Sequence, residues 1–138
     1  KNKKNSKAEV EKENLSKALE YHQQSLQIKE SIGDQFGAAT TLSNIGTVYQ
    51  MMAQEASGKK QAEFRLKSAE NYIRSLETYR MFGARSNQGK LLFKLAYFYF
   101  QTGDKVKAKE FLPESLEIFQ DLEMPELENA SKLEKQLG

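Results

Sequence analysis

The side chains of this sequence that are best suited to bind another molecule are two lysines and three aromatic residues. Lys90 and Lys94 are four residues apart, and Phe93, Tyr97 and Phe100 lie at helical spacing beside them. Residues three and four apart share one face of a helix. On such a face, ammonium groups would bind carboxylates, and aromatic rings would hold an apolar side chain. The spacing therefore predicts recognition of an acidic partner or of one with apolar anchors.

Catalytic chemistry is not indicated by the remaining residues. The chain has no cysteine and one histidine, His22, so the nitrogen and sulfur ligands of a zinc site are missing. We expect His22 to be a partly buried packing residue. The acidic residues are spread along helix faces at spacings that suit pairing with lysine, and no phosphate-binding glycine loop or nucleophile motif occurs. We predict a protein that is not an enzyme and uses no metal or cofactor.

Composition and charge are typical of a soluble helical domain. The 138 residues suffice for one shared core, and a net charge of +2 is too small to favour nucleic acid as a partner. No apolar stretch approaches the roughly 20 residues that a membrane span requires. Because cysteine and a signal peptide are both lacking, we expect a cytoplasmic location. The first residue, Lys1, indicates a fragment of a longer protein or a processed chain.

Apolar periodicity and turn residues predict about six helices. Ser6 and Glu9 have the spacing of a capping box at the start of the first helix. Asp104 is placed to cap the fifth helix, and Pro125 can occupy the first turn of the sixth. Pro113 lies within the fifth helix, where it should produce a kink. Three glycines are expected to end helices: Gly33, Gly83 and Gly103.

Two residue patterns recur along these helices. The first consists of two large residues, a small residue and a tyrosine, and it occurs as Leu42, Ile45, Gly46, Tyr49 and as Leu92, Leu95, Ala96, Tyr99. The second occurs three times, as Ala18, His22, Ser25, Leu26, as Ser68, Tyr72, Ser75, Leu76 and as Ala108, Leu112, Ser115, Leu116. Small residues at fixed positions let two helices approach closely. The alternation of the two patterns predicts a stack of helical hairpins.

These patterns resemble the tetratricopeptide repeat family, in its longer-period subtype. The resemblance implies an all-α fold in which antiparallel helical hairpins form a right-handed superhelical stack, an α-solenoid of about six helices. It implies a single domain, 1–138, with these parts: a basic tail (1–6), the second helix of a truncated first repeat (7–32), an enlarged second repeat (36–82), a third repeat (86–121) and a C-terminal capping helix (125–138).

The resemblance also implies a function. In that family the first helix of each hairpin lines a concave groove, so this chain would be a non-catalytic protein–protein interaction module that binds a peptide or partner protein. The partner-binding residues would be Thr40, Ser43, Asn44, Thr47 and Gln50 on the second helix and Lys90, Phe93, Lys94, Tyr97 and Phe100 on the fourth. Asn44, Lys90 and Lys94 match positions that grip a C-terminal carboxylate in some members, although Lys94 stands where arginine is usual.

The sequence leaves several alternatives open. The aromatic residues of the fourth helix either line the groove or pack beneath the C-terminal helix. About ten extra residues near Met51–Leu66 lengthen one hairpin, with Met51, Met52 and Phe64 as a candidate contact patch. The chain could instead be a self-associating regulatory or sensor segment of a larger signalling protein, a homodimer through the N-terminal helix or through that hairpin. A structural spacer is a third possibility.

Overall fold

The computed structural model describes residues 3–138, with side chains from Lys7 onward. The secondary structure of this part is entirely helical, which confirms the predicted all-α class. The sequence predicts a basic tail at 1–6. Residues 1 and 2 and the side chains of residues 3–6 lie outside the described residues. The helices are α1 (Lys3–Ser31), α2 (Gln35–Gln54), α3 (Gly58–Met81), α4 (Arg85–Gln101), α5 (Lys105–Asp121) and α6 (Leu127–Leu137).

Three helix starts differ from the sequence prediction. The α1 helix begins at Lys3, so Ser6 lies inside the helix rather than at its cap. Lysine has a high helix propensity, which lets the helix extend upstream of the predicted cap. The α3 helix begins at Gly58, about three residues before Gln61, where the sequence predicts the third helix to start. Pro125 lies in the turn before α6 rather than in its first turn, because Glu126 is the N-cap residue.

Four helix ends share one turn geometry. After α1, the Asp34 amide donates to the Lys29 carbonyl at 2.8 Å, and Gly33 adopts a φ of +77°. This left-handed conformation favours glycine, as expected for the end of a helix. After α5 the same turn forms with Glu123 at a φ of 51°, a position where an L-residue is strained. Asp34 and Asp104 then cap the next helices by accepting hydrogen bonds from the Gly37 and Lys107 amides.

The chain divides into two compact units, the first ending at Ser75 within α3 and the second being Leu76–Gly138. In the first unit α2 is the central helix, because α1 and α3 both pack against it. The Lys29 ammonium of α1 donates to the Thr41 hydroxyl of α2 at 2.7 Å. The α2 helix accordingly buries ten residues, among them Leu42, Ile45 and Tyr49 of the first repeat pattern.

Helices α2 and α3 of the first unit approach each other closely at Gly46. A β-carbon on Gly46 would lie 2.7 Å from Cδ1 of the Tyr72 ring and 3.2 Å from the Ser68 carbonyl oxygen. Two buried serine hydroxyls hold the helices at this separation. Ser68 donates to the Gly46 carbonyl, and Ser75 donates to the Ala39 carbonyl, each at 2.7 Å. Gly46, Ser68 and Ser75 of the repeat patterns therefore lie where α2 and α3 meet, as predicted.

In the second unit α5 packs against α4 and against α6. Their shared core consists of Ala96, Ala108, Leu112, Phe119, Ala130, Leu133 and Leu137. Gly89 of α4 permits another close approach, since a β-carbon there would lie 2.7 Å from Cγ2 of Ile118. Pro113 lies within α5 on its exposed side, and the helix continues through it to Asp121.

Replacing Gly46 with alanine tests the contact between α2 and α3. Glycine to alanine in a helix ordinarily stabilises a protein by about 0.5–1 kcal/mol. At Gly46 we expect the opposite sign, a loss of about 1–3 kcal/mol in the free energy of unfolding, because the new methyl group collides with the Tyr72 ring. Urea denaturation measures this change.

The matched control is Asn44→Ala, an exposed position two residues away on the same helix, where we expect a change within about 0.5 kcal/mol. A Gly46→Ala variant as stable as the Asn44→Ala variant would contradict the close packing of these helices.

Candidate functional site

The candidate residues of α4 divide into packed and exposed side chains. Phe93 and Phe100 are half-buried and pack against the core cluster that includes residues of α6. The Phe93 and Phe119 ring centroids are 6.1 Å apart in an edge-to-face arrangement. Tyr97 is 43% exposed, with its ring 6.2 Å from Phe93 and 6.3 Å from Phe100. Phe93 and Phe100 therefore belong to the packing around the core that α4, α5 and α6 share, and Tyr97 provides the accessible aromatic surface.

Lys90 has a carboxylate beside it in the folded chain. Its Nζ lies 3.8 Å from Oε2 of Glu126, the N-cap residue of α6. The other oxygen of that carboxylate, Oε1, is buried and has no hydrogen-bond partner among the described residues. The pair is long and partly exposed, so it contributes little to stability. Glu126 is 36 positions from Lys90, and no sequence pattern indicated that the two would meet.

Lys94 differs from Lys90 in both its partners and its electrostatics. Its side chain is exposed, and it forms no ion pair or hydrogen bond within the part of the chain that the structure describes. Partial burial nevertheless removes water from the ammonium group and lowers the pKa of Lys94 below its ordinary value. A desolvated cation without a counter-charge interacts more strongly with an incoming anion than a fully hydrated one does.

The candidate residues of α2 are mostly engaged within the first unit. Ser43 is buried, and Thr47 and Gln50 are half-buried. The Tyr72 hydroxyl of α3 lies 2.9 Å from the Thr47 hydroxyl and donates to Oε1 of Gln50 at 3.0 Å. Thr40 and Asn44 are exposed. Three of the five predicted residues on this helix therefore have structural roles.

Burial of Tyr72 has an electrostatic consequence. The ring is 1% exposed. Burial raises the pKa of the Tyr72 hydroxyl above its ordinary value of 10.0, while hydrogen bonds with Thr47 and Ser68 act in the opposite direction. The charged phenolate is disfavoured in this environment. The folded state therefore favours the neutral form of Tyr72.

The α1 helix is the N-terminal helix that the sequence offers as a possible homodimer contact, although none of its residues is among the predicted partner-binding residues. His22 is half-buried, as predicted, and so are Ala18, Ser25 and Leu26. Beside them, Tyr21 and Ile28 of α1 are 70% and 61% exposed, and Ile32, in the turn that follows α1, is 71% exposed. The corresponding serines of α3 and α5, Ser75 and Ser115, are fully buried. The residues of the second repeat pattern are thus less buried on α1 than the equivalent residues are on α3 and α5.

No group of three or more histidine, cysteine or acidic side chains that could hold a metal ion occurs from residue 7 onward. None of the described helices is both long enough and apolar enough to cross a bilayer. Comparison with protein-family models and with curated proteins finds no match to this sequence.

Replacing Tyr72 with phenylalanine tests its hydrogen bonds and its pKa. At neutral pH we expect a loss of about 1 kcal/mol, because Thr47 and Gln50 lose a partner. The folded state binds the hydroxyl proton more tightly than the unfolded chain. The wild-type protein should therefore lose stability as pH rises through about 10 toward the raised pKa, and the variant should lack this loss.

The measurement is urea denaturation of both proteins at neutral pH and at several values above pH 10. The difference in the free energy of unfolding should shrink as pH rises. A difference that stays constant over this range would show that Tyr72 does not titrate differently in the folded and unfolded states.

Proposed function

We propose that this protein is a non-catalytic interaction module that binds an acidic peptide or an acidic segment of a partner protein on the exposed face of α4. The observation that carries the proposal is Lys94, an exposed but partly desolvated ammonium group with no partner in the described residues. Tyr97 lies one helical turn away with 43% of its surface exposed. The cation would bind a carboxylate, and the ring would contact a neighbouring apolar side chain.

Lys90 supports the same chemistry. Its position beside Glu126 places a carboxylate within 3.8 Å of its ammonium group inside the folded chain. An acidic side chain of a partner could replace this long contact with a shorter hydrogen bond, since Lys90 is 53% exposed at its side chain. Lys90 and Lys94 together would then favour a ligand with two carboxylates one helical turn apart.

We also infer a tetratricopeptide-like stack of hairpins and a cytoplasmic location. The support for the stack is the equivalent use of small residues in both units, Gly46 and Ser68 in the first and Ala96 and Ala108 in the second, all of them buried. The support for the location is the lack of cysteine, which suits a reducing compartment.

Peptide binding to the α4 face can be tested by isothermal titration calorimetry. The ligand is an Asp- and Glu-rich peptide with interspersed leucines, and the control peptide carries Asn and Gln at the acidic positions. We expect Lys94→Gln to weaken binding of the acidic peptide about tenfold, because a charge-assisted hydrogen bond is lost. The affinity should also fall with added salt.

The matched control variant is Lys109→Gln, which removes the same charge from an exposed lysine of α5 that forms no ion pair with any described residue. It should change the affinity less than twofold. Equal losses in the two variants would mean that net charge alone attracts the peptide, and the α4 face would no longer be its site.

A second candidate function, self-association, is favoured by one observation on α1. We propose as the alternative that Tyr21, Ile28 and Ile32 form the contact of a homodimer, because large apolar side chains this exposed are costly in water. A regulatory segment that changes its dimer state would use such a face. The lengthened hairpin is a weaker candidate, with Met51 at 46% exposure.

Light scattering after size-exclusion chromatography, over a hundredfold range of concentration, tests this alternative. We expect a dimer for the wild-type chain and a monomer for Ile28→Glu, because a buried unpaired charge opposes association. Val106→Glu is the control, since Val106 is 73% exposed on α5, and it should leave the dimer intact. A wild-type monomer at every concentration would exclude the dimer and leave the α4 face as the candidate site.

A further inference from the structure

The first unit contains a cavity that the proposed function does not use. It has a volume of about 440 Å³ and lies between α1, the end of α2 and the beginning of α3. Its apolar wall includes Leu15, Met52 and Phe64. Sites for small molecules typically have volumes of about 300–1,000 Å³ and predominantly apolar linings. The volume and the apolar wall therefore fall within the range of known small-molecule sites.

The lengthened hairpin builds this cavity. The α2 and α3 residues that line it lie between Met52 and Phe64, inside the segment that exceeds the length of the other hairpin. In the second unit α4 and α5 have 17 residues each, whereas α2 and α3 have 20 and 24, so the extra length lies in the helices and not in the connecting turn. The extension therefore adds walls that the other hairpin does not have.

The walls of the cavity are held in place by contacts on both sides of the turn. Nε2 of Gln61 donates to the Ala53 and Ala56 carbonyls at 2.8 and 3.0 Å, which ties the start of α3 to the end of α2. The Phe64 ring stacks on Tyr49, with centroids 6.1 Å apart. A site whose walls are fixed before binding costs less ordering entropy when a ligand enters.

The charged residues that line the cavity carry more positive than negative charge. Lys12 and Lys60 line it together with one carboxylate, that of Glu55. Lys12 forms no ion pair with any side chain from residue 7 onward, while the Lys60 ammonium lies 5.2 Å from the Phe64 ring centroid and 3.9 Å from Oε2 of Glu63. Cations therefore outnumber the anion among the lining residues, and one of them sits directly over the apolar wall.

We propose that this cavity binds a small amphiphilic monocarboxylate, an anion with an aliphatic or aromatic body. The body would contact Leu15, Met52 and Phe64, and the carboxylate would lie between Lys12 and Lys60. Methionine suits such a wall because its flexible side chain adapts to ligands of different shape. Glu55 would oppose the anion, so its charge limits the affinity.

The test is titration of the full chain with decanoate, followed by NMR of its backbone amides and methionine methyl groups. Acetate and decan-1-ol are the comparison ligands, because acetate lacks the apolar body and decan-1-ol lacks the charge. We expect decanoate to bind at least tenfold more tightly than either, with shifts at Leu15, Met52 and Phe64. Equal binding of decan-1-ol would overturn the role of the lysines, and shifts elsewhere would overturn the site.

Charge variants complete the test. Lys12→Gln and Lys60→Gln should each weaken decanoate binding about threefold to tenfold, and Glu55→Gln should strengthen it. Lys59→Gln is the matched control, because Lys59 is the exposed neighbour of Lys60 and does not line the cavity. If Lys59→Gln weakens binding as much as Lys60→Gln does, the effect is one of net charge, and the proposed carboxylate position is wrong.

Discussion

The first unit depends on the contact between two helix backbones at Gly46. The Tyr72 ring of α3 packs against Gly46 of α2, and the Ser68 hydroxyl donates directly to the Gly46 carbonyl. The hydroxyl satisfies a second lone pair of a carbonyl that already belongs to the helix, so the buried serine carries no unpaired polar group. Tyr72 then fills the space beside the glycine and brings its own hydroxyl to Thr47 and Gln50. Because Gly46 has no β-carbon, the Tyr72 ring can pack against it. The hydrogen bonds of the Tyr72 hydroxyl with Thr47 and Gln50 depend on this position.

This packing decides which polar residues stay available for other molecules. On α2, Thr47 and Gln50 are used to satisfy the buried Tyr72 hydroxyl. On α4, Phe93 is used to cover the core that α5 and α6 share. Lys94 and Tyr97 remain exposed because they project from the side of α4 that this core does not use. The candidate site therefore consists of the exposed residues that do not take part in core packing. For this reason it is smaller than the sequence predicted.

Several features of the fold could be predicted because they depend on neighbours in the sequence. The helix class, the glycine at the end of α1 and the Asp104 cap of α5 all follow from contacts within a few residues. The start of α1 could not be predicted in this way, because the capping signal at Ser6 competed with upstream residues that also favour a helix. Similarly, Glu123 occupies a left-handed turn position for which the sequence offered no glycine signal.

The sequence by itself determined the helices, their apolar faces and the places where small residues let them meet, since these are properties of local spacing. Only the tertiary structure decided that Lys90 faces Glu126, that Lys94 is exposed without a partner among the described residues, and that the lengthened hairpin and α1 line one open cavity. The physical reason is that burial, pairing and cavity volume depend on groups far apart in the sequence. A pattern of spacing states which side of a helix a residue occupies, and the neighbouring helices decide what it meets there.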